Sequence, residues 1–237
     1  MFVTVFFLAA CAGGPRERLE LARDIESHDS IGVLPINFME KPEARVYSNP
    51  VKFAGTVGRI AVAKADDTTR RKFSTALDEA RYSYQEDVSS KLIERLQEAG
   101  FDAEYMEFNR SIDNVLGAVP PGQFERRYPK DTGYDLLLDV YVEYFGYAAP
   151  SLGEDYLPTG HIAVRVVDGA TLDTVYQSEI HYHPMDPEAE VVKIEADRAY
   201  TFEEFEDILN DIPKAREGLK AATQALMAAL VDELSGA

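Results

Sequence analysis

The stretch HIAVRVVDGATLDTVYQSEIHYH, from His161 to His183, reads as two strands around a turn. Ile162, Val164 and Val166 alternate with His161, Ala163 and Arg165, the period of two that a half-buried strand requires. Gly169-Ala-Thr-Leu-Asp173 carries the turn chemistry, and Thr174 to His183 resumes the β-rich pattern. Pairing Ile162 with Ile180 and Val166 with Tyr176 satisfies a single register, which sets His161 opposite His181.

Outward from this hairpin, Tyr134-Asp-Leu-Leu-Leu-Asp-Val-Tyr-Val-Glu-Tyr144 is the most apolar strand, with Leu136, Leu138, Val140 and Val142 on one face. Its other face carries Leu137, Asp139, Tyr141 and Glu143, which predicts only partial cover there. Further strands are expected at Ile31 to Ile36, Gly58 to Lys64 and Phe101 to Phe108, with Gly55 to Gly58 as a turn. Apolar residues at steps of three or four from Leu77 to Leu96 predict one helix over Ser74 to Ala99, ended by a left-handed Gly100. A terminal helix over Ala215 to Leu234 presents Leu219, Ala222, Leu226 and Leu230, and Thr201 to Glu204 matches a capping box ahead of a short acidic helix. Residues 109–133 and 146–160 read as long loops. The fold expected is α+β: a single mixed β-sheet with two main helices packed on one face, a two-layer sandwich.

The 237 residues are 46% hydrophobic and 28% charged, a globular composition sufficient for one sizeable core. Twenty-four basic against 42 acidic residues leave a net charge of −18, which repels phosphate backbones and argues against nucleic-acid binding.

The apolar run Phe2 to Ala10 is far too short to cross a bilayer, which takes roughly 20 residues, and has the length of a signal-peptide core. It leads into Leu8-Ala9-Ala10-Cys11, which resembles the bacterial lipobox. The resemblance implies residues 1–10 as a signal peptide, lipid attachment at Cys11, and cleavage ahead of it. Ala12, in place of aspartate, implies delivery to the outer membrane, facing the periplasm. Residues 11–30 then form the lipidated terminus and tether, and 31–237 a single periplasmic α+β domain. Only Met1 stands where a basic region is expected, which reads as a start placed downstream of the true one or as a shortened chain. The alternative is a buried first strand in a cytoplasmic protein, with Cys11 packed as a small hydrophobe. As the sole cysteine, Cys11 leaves no intramolecular disulfide.

The order of GVLPI (Gly32 to Ile36), KLIERLQEAGF (Lys91 to Phe101), YDLLLDV (Tyr134 to Val140) and VRVVDGATLDTVYQSEI (Val164 to Ile180) resembles a broad group of bacterial periplasmic lipoproteins. The group includes the penicillin-binding-protein activator and curli-secretion lipoproteins. It implies a non-enzymatic, membrane-anchored protein that binds or helps assemble another cell-envelope protein, with homo-oligomers among the forms the group takes. The long loops and the tyrosines at 134, 141, 144, 147 and 156 are the expected contact surface.

The other candidate chemistry is metal binding. His161, His181 and His183 fall on one face of the hairpin, with Glu179 nearby, and imidazoles so placed can hold zinc or copper. The same residues also read as solvent-side strand positions. Glu203, Glu204, Glu206, Asp207 and Asp211 read as a solvated helix face, without the glycine and alternating oxygens of a calcium loop. Arg126, Arg127 and Lys130 are a local basic cluster. Neither G-x-S-x-G, H-E-x-x-H nor C-x-x-C occurs, so no catalytic residues and no cofactor are expected, although paired carboxylates leave hydrolysis open.

Overall fold

The computed structural model describes residues 18, 19, 25, 29–39, 41–48, 55–110, 124, 125, 127–186 and 188–236, with side chains of the first helix from residue 67 onward. The signal peptide, Cys11 and most of the expected tether lie outside these residues. In chain order the elements are β1 (Ser30–Val33), β2 (Glu43–Ser48), α1 (Gly55–Glu79), α2 (Tyr84–Glu98), β3 (Asp102–Tyr105), β4 (Leu136–Ser151), β5 (Leu157–Asp168), β6 (Thr174–Tyr182), β7 (Val192–Ile194), α3 (Phe205–Asn210) and α4 (Ile212–Ser235).

β4 organises the sheet. Along one edge it pairs antiparallel with β5, and along the other it pairs in parallel first with β1, then with β2. The full order is β3-β1-β4-β5-β6-β7, with β2 beside the far half of β4, so the sheet is mixed and the fold α+β as expected. The hairpin register also matches: Ile162 pairs with Ile180, Val166 with Tyr176 and His161 with His181. Gly146 is where β2 closes on β4, since a Cβ there would stand 1.8 Å from the Glu43 carbonyl oxygen.

The helices share one face. Leu136, Leu138, Val140, Val142, Ile162, Val164, Val166 and Ile180 from the strands join Phe73 and Leu77 of α1, Val88, Leu92 and Leu96 of α2, and Leu219, Leu226 and Leu230 of α4 in one core. Each fully buried leucine contributes about 1.5–3 kcal/mol of transfer free energy. Ile25 joins this core, and Leu19 exchanges two backbone hydrogen bonds with Gln177, so parts of the stretch ahead of residue 31 pack on the body.

Four local expectations change. Gly58 to Lys64 is helical, and Gly55 to Gly58 opens that helix instead of forming a turn, because a short alternation rich in alanine, arginine and lysine also suits a helix. The helix expected over 74–99 is two. Arg81, at φ 54°, breaks the path, and the Ser83 hydroxyl accepts from the Glu86 N–H to start α2. Residues 146–160 are mostly strand, with only the connection between Ser151 and Leu157 outside it. The capping box forms at Glu204 and Asp207 and not at Thr201, because the intervening residues leave Thr201 ahead of the first helical turn. Gly100, at φ 95°, ends α2 as expected, and the acidic residues from Glu203 to Asp211 form an exposed, solvated face.

Candidate functional site

The helix-free face of the sheet gathers the polar chemistry. It was expected to be partly open, yet Leu137 and Asp139 are both 0% exposed. The cover comes from the segment after β3. Met106, Phe108, Tyr128 and Tyr134 pack around Leu34, Leu137 and Val167, while Phe124 packs with Tyr141 and Ala163. Asp139 fastens this cover. It accepts from Arg110 Nη2 at 2.6 Å, from the Glu125 backbone N–H at 2.6 Å and from the Tyr128 hydroxyl at 3.1 Å. Arg110 Nε also donates to the Pro35 carbonyl at 2.6 Å. A buried carboxylate tolerates this position because its charge is met by a guanidinium and two further donors. Burial, reinforced by the Asp139 charge, pushes the Tyr128 hydroxyl well above its ordinary range.

Further along the same face lie the histidines. β4 bulges between Val142 and Tyr144, so Val142 and Phe145 both enter the helix-side core while Glu143 and Tyr144 fall in succession between them. The His161 and His181 rings stack 4.0 Å apart at 12°, and Tyr144 lies 5.8 Å from His161. Arg45 stacks on the other side, with its guanidinium carbon 4.0 Å over the Tyr144 ring. His161 is 7% exposed, and desolvation, followed by the His181 ring, pulls its pKa down to about 3. His183 follows β6 at φ 58° and pairs Nδ1 with the Thr159 hydroxyl at 2.9 Å, and burial lowers its pKa to about 4.

The structure therefore brings two of the three sequence-selected histidines into contact and sets the third against a threonine. What the sequence reading missed is Glu143. Its carboxylate, that of Glu179 and a His181 ring nitrogen lie within 4.8 Å of one another.

Of the expected tyrosine surface only part remains: Tyr141, Tyr144 and Tyr147 are drawn into the buried sheet, while Tyr134 and Tyr156 are half-buried. The exposed large apolar residues among those described are Leu19, Tyr47, Tyr105 and Leu152. Arg127 and Lys130 are exposed, and Arg126 lies outside the described residues.

No family model and no curated protein sequence matches the chain. Among solved structures it is similar to the PelC dodecamer from Paraburkholderia phytofirmans, at 10% identity and a TM-score of 0.40, covering 92% of this chain and 95% of that one. It is also similar to protein XCC0632 from Xanthomonas campestris, of family DUF330, at 9% identity and a TM-score of 0.45, covering 94% of each chain. The lipoprotein GNA1162 from Neisseria meningitidis is 14% identical with a TM-score of 0.22, covering 65% of this chain and 81% of that one. These likenesses concern the course of the chain alone. Among the described residues no helix is long and apolar enough to cross a membrane.

Proposed function

We propose that this is a lipid-anchored protein of the bacterial envelope whose folded body binds or helps assemble another envelope protein, without catalysing a reaction. The anchor is Cys11 within Leu8-Ala9-Ala10-Cys11, and the outer membrane, on its periplasmic side, is the assigned location. The observation that carries the docking role lies at one end of the sheet. Tyr47 is 47% exposed and Leu152 64%, and the β2–β4 register sets Ser48 opposite Ser151, so both apolar side chains stand at the same tip. Among the described residues β2 pairs with β4 alone, and its outer edge offers backbone donors and acceptors beside that tip. Two exposed apolar groups next to an open strand edge are the elements from which a protein interface is built.

The test is a photo-crosslinking side chain placed at Tyr47 or at Leu152 in intact cells. A discrete adduct at both positions, with another envelope protein or with a second copy of this chain, is expected. Absence of any adduct while the protein is present at normal level would sink the docking role. Cell fractionation of Cys11→Ser tests the anchor separately, by loss of the protein from the membrane fraction.

A further inference from the structure

We propose that Glu143, Glu179 and His181 form a binding site for a single divalent cation of the zinc class on the helix-free face of the sheet. The site is distinct from the tip at Tyr47 and Leu152, and of the three histidines that the sequence singles out it uses His181 alone.

The donor atoms of these three side chains lie within 4.8 Å of one another, and His181 Nε2 stands 3.6 Å from Glu179 Oε2. Four ligands at roughly 2.1 Å from zinc are about 3.4 Å apart, so the His181–Glu179 pair is already near the required spacing and Glu143 closes by a small side-chain movement. The backbone explains the convergence. Glu143 is the extra residue of the β4 bulge, Glu179 pairs with Ala163 across the β5–β6 ladder, and His181 pairs with His161.

The chemistry of the set fits a divalent ion. Two carboxylates match its charge, and one imidazole adds the nitrogen donor that distinguishes zinc from calcium. His181 Nε2 is buried and has no hydrogen-bond partner, as is His161 Nε2. His161 does not bind the same ion, because rings stacked at 12° project their nitrogens along nearly parallel planes. It is a positioning residue that holds the His181 ring against rotation. His183, held by Thr159, takes no part. Lys193 pairs with His181 in the β6–β7 ladder and is exposed.

Calorimetric zinc titration of the full chain carrying Cys11→Ser, which removes the only thiol, tests the assignment. One zinc per chain is expected. His181→Ala should weaken binding by roughly 100-fold or more, exceeding the usual loss for an outer-shell partner. Glu143→Gln and Glu179→Gln, which keep side-chain size, should each weaken it at least about tenfold, and His183→Ala should leave it unchanged. Circular dichroism of the two glutamine variants separates ligand loss from misfolding. No zinc uptake by the parent chain, or uptake that survives both glutamine substitutions, overturns the assignment. Uptake lost in His183→Ala but not in Glu143→Gln also overturns it and returns the site to the histidine trio.

Discussion

The two faces of the sheet are sealed by different physics. On the helix side, leucines and valines from β4, β5 and β6 meet those of α1, α2 and α4, and the interactions are non-directional and spread over many residues. On the other side the cover is an irregular segment, pinned where Asp139 meets Arg110, the Glu125 amide and Tyr128. The first face tolerates the loss of any one contact at moderate cost. The second concentrates its stability in a few groups that are costly when left unmatched.

Asp139→Ala tests that contrast hardest. It strands the Arg110 charge, whose side chain is only 17% exposed, and should destabilise the fold by about 3–5 kcal/mol in urea denaturation. Replacing both partners, Asp139→Leu with Arg110→Met, should recover most of this, because neither charge of the pair is then left buried without the other. If the double variant is no better than the single one, the ion pair is not the fastening. On the opposite face Leu226→Ala, at a site 1% exposed, should cost about 2–5 kcal/mol with no such rescue by a second truncation. A loss below about 1 kcal/mol would mean that the helix layer collapses to fill the gap.

Alkaline titration compares the two faces by a smaller effect. Burial raises the hydroxyl of Tyr84 on the helix side to about 12 and moves Tyr128 on the other side in the same direction. A tyrosine with a raised folded pKa keeps its proton in the native state while the unfolded chain releases it. Stability is therefore whole below pH 10 and is lost as the pH climbs toward the folded value. Each such tyrosine contributes a slope of up to about 1.4 kcal/mol per pH unit. Tyr84→Phe and Tyr128→Phe should each flatten the fall in urea midpoint above pH 10. An unchanged slope in either would show that its face admits solvent before the molecule unfolds.

The difference between the faces also explains what the sequence could disclose. The hairpin register was legible because Ile162, Val164, Val166 and Ile180 must all reach one core, and a slip of one residue would expose every one of them. β2 was not, since Glu-Ala-Arg-Val-Tyr-Ser is only half apolar and is flanked by prolines, and its place depends on the far half of β4. The break at Arg81 hides within a continuous three-to-four spacing, with Ser83 the local signal that a second helix starts. The Asp139 fastening joins residues 29 apart, and no periodicity encodes such a pair. The histidine pair followed directly from the register. Glu143 did not, because it meets Glu179 only when β4, β5 and β6 lie side by side.

Leu19 is bonded to Gln177, which the ladders set level with Arg165 and Asp139, and the neighbouring Arg18 reaches Glu233 near the end of α4 at 2.9 Å. Cys11 lies seven residues ahead of Arg18, a leash of roughly 25 Å at full stretch. Acylated, it would moor the molecule by that flank, while β4 runs on for about 12 residues from Asp139 to Ser151, roughly 40 Å at 3.3 Å per residue. The end bearing Tyr47 and Leu152 would then stand that full length of strand away from the mooring point.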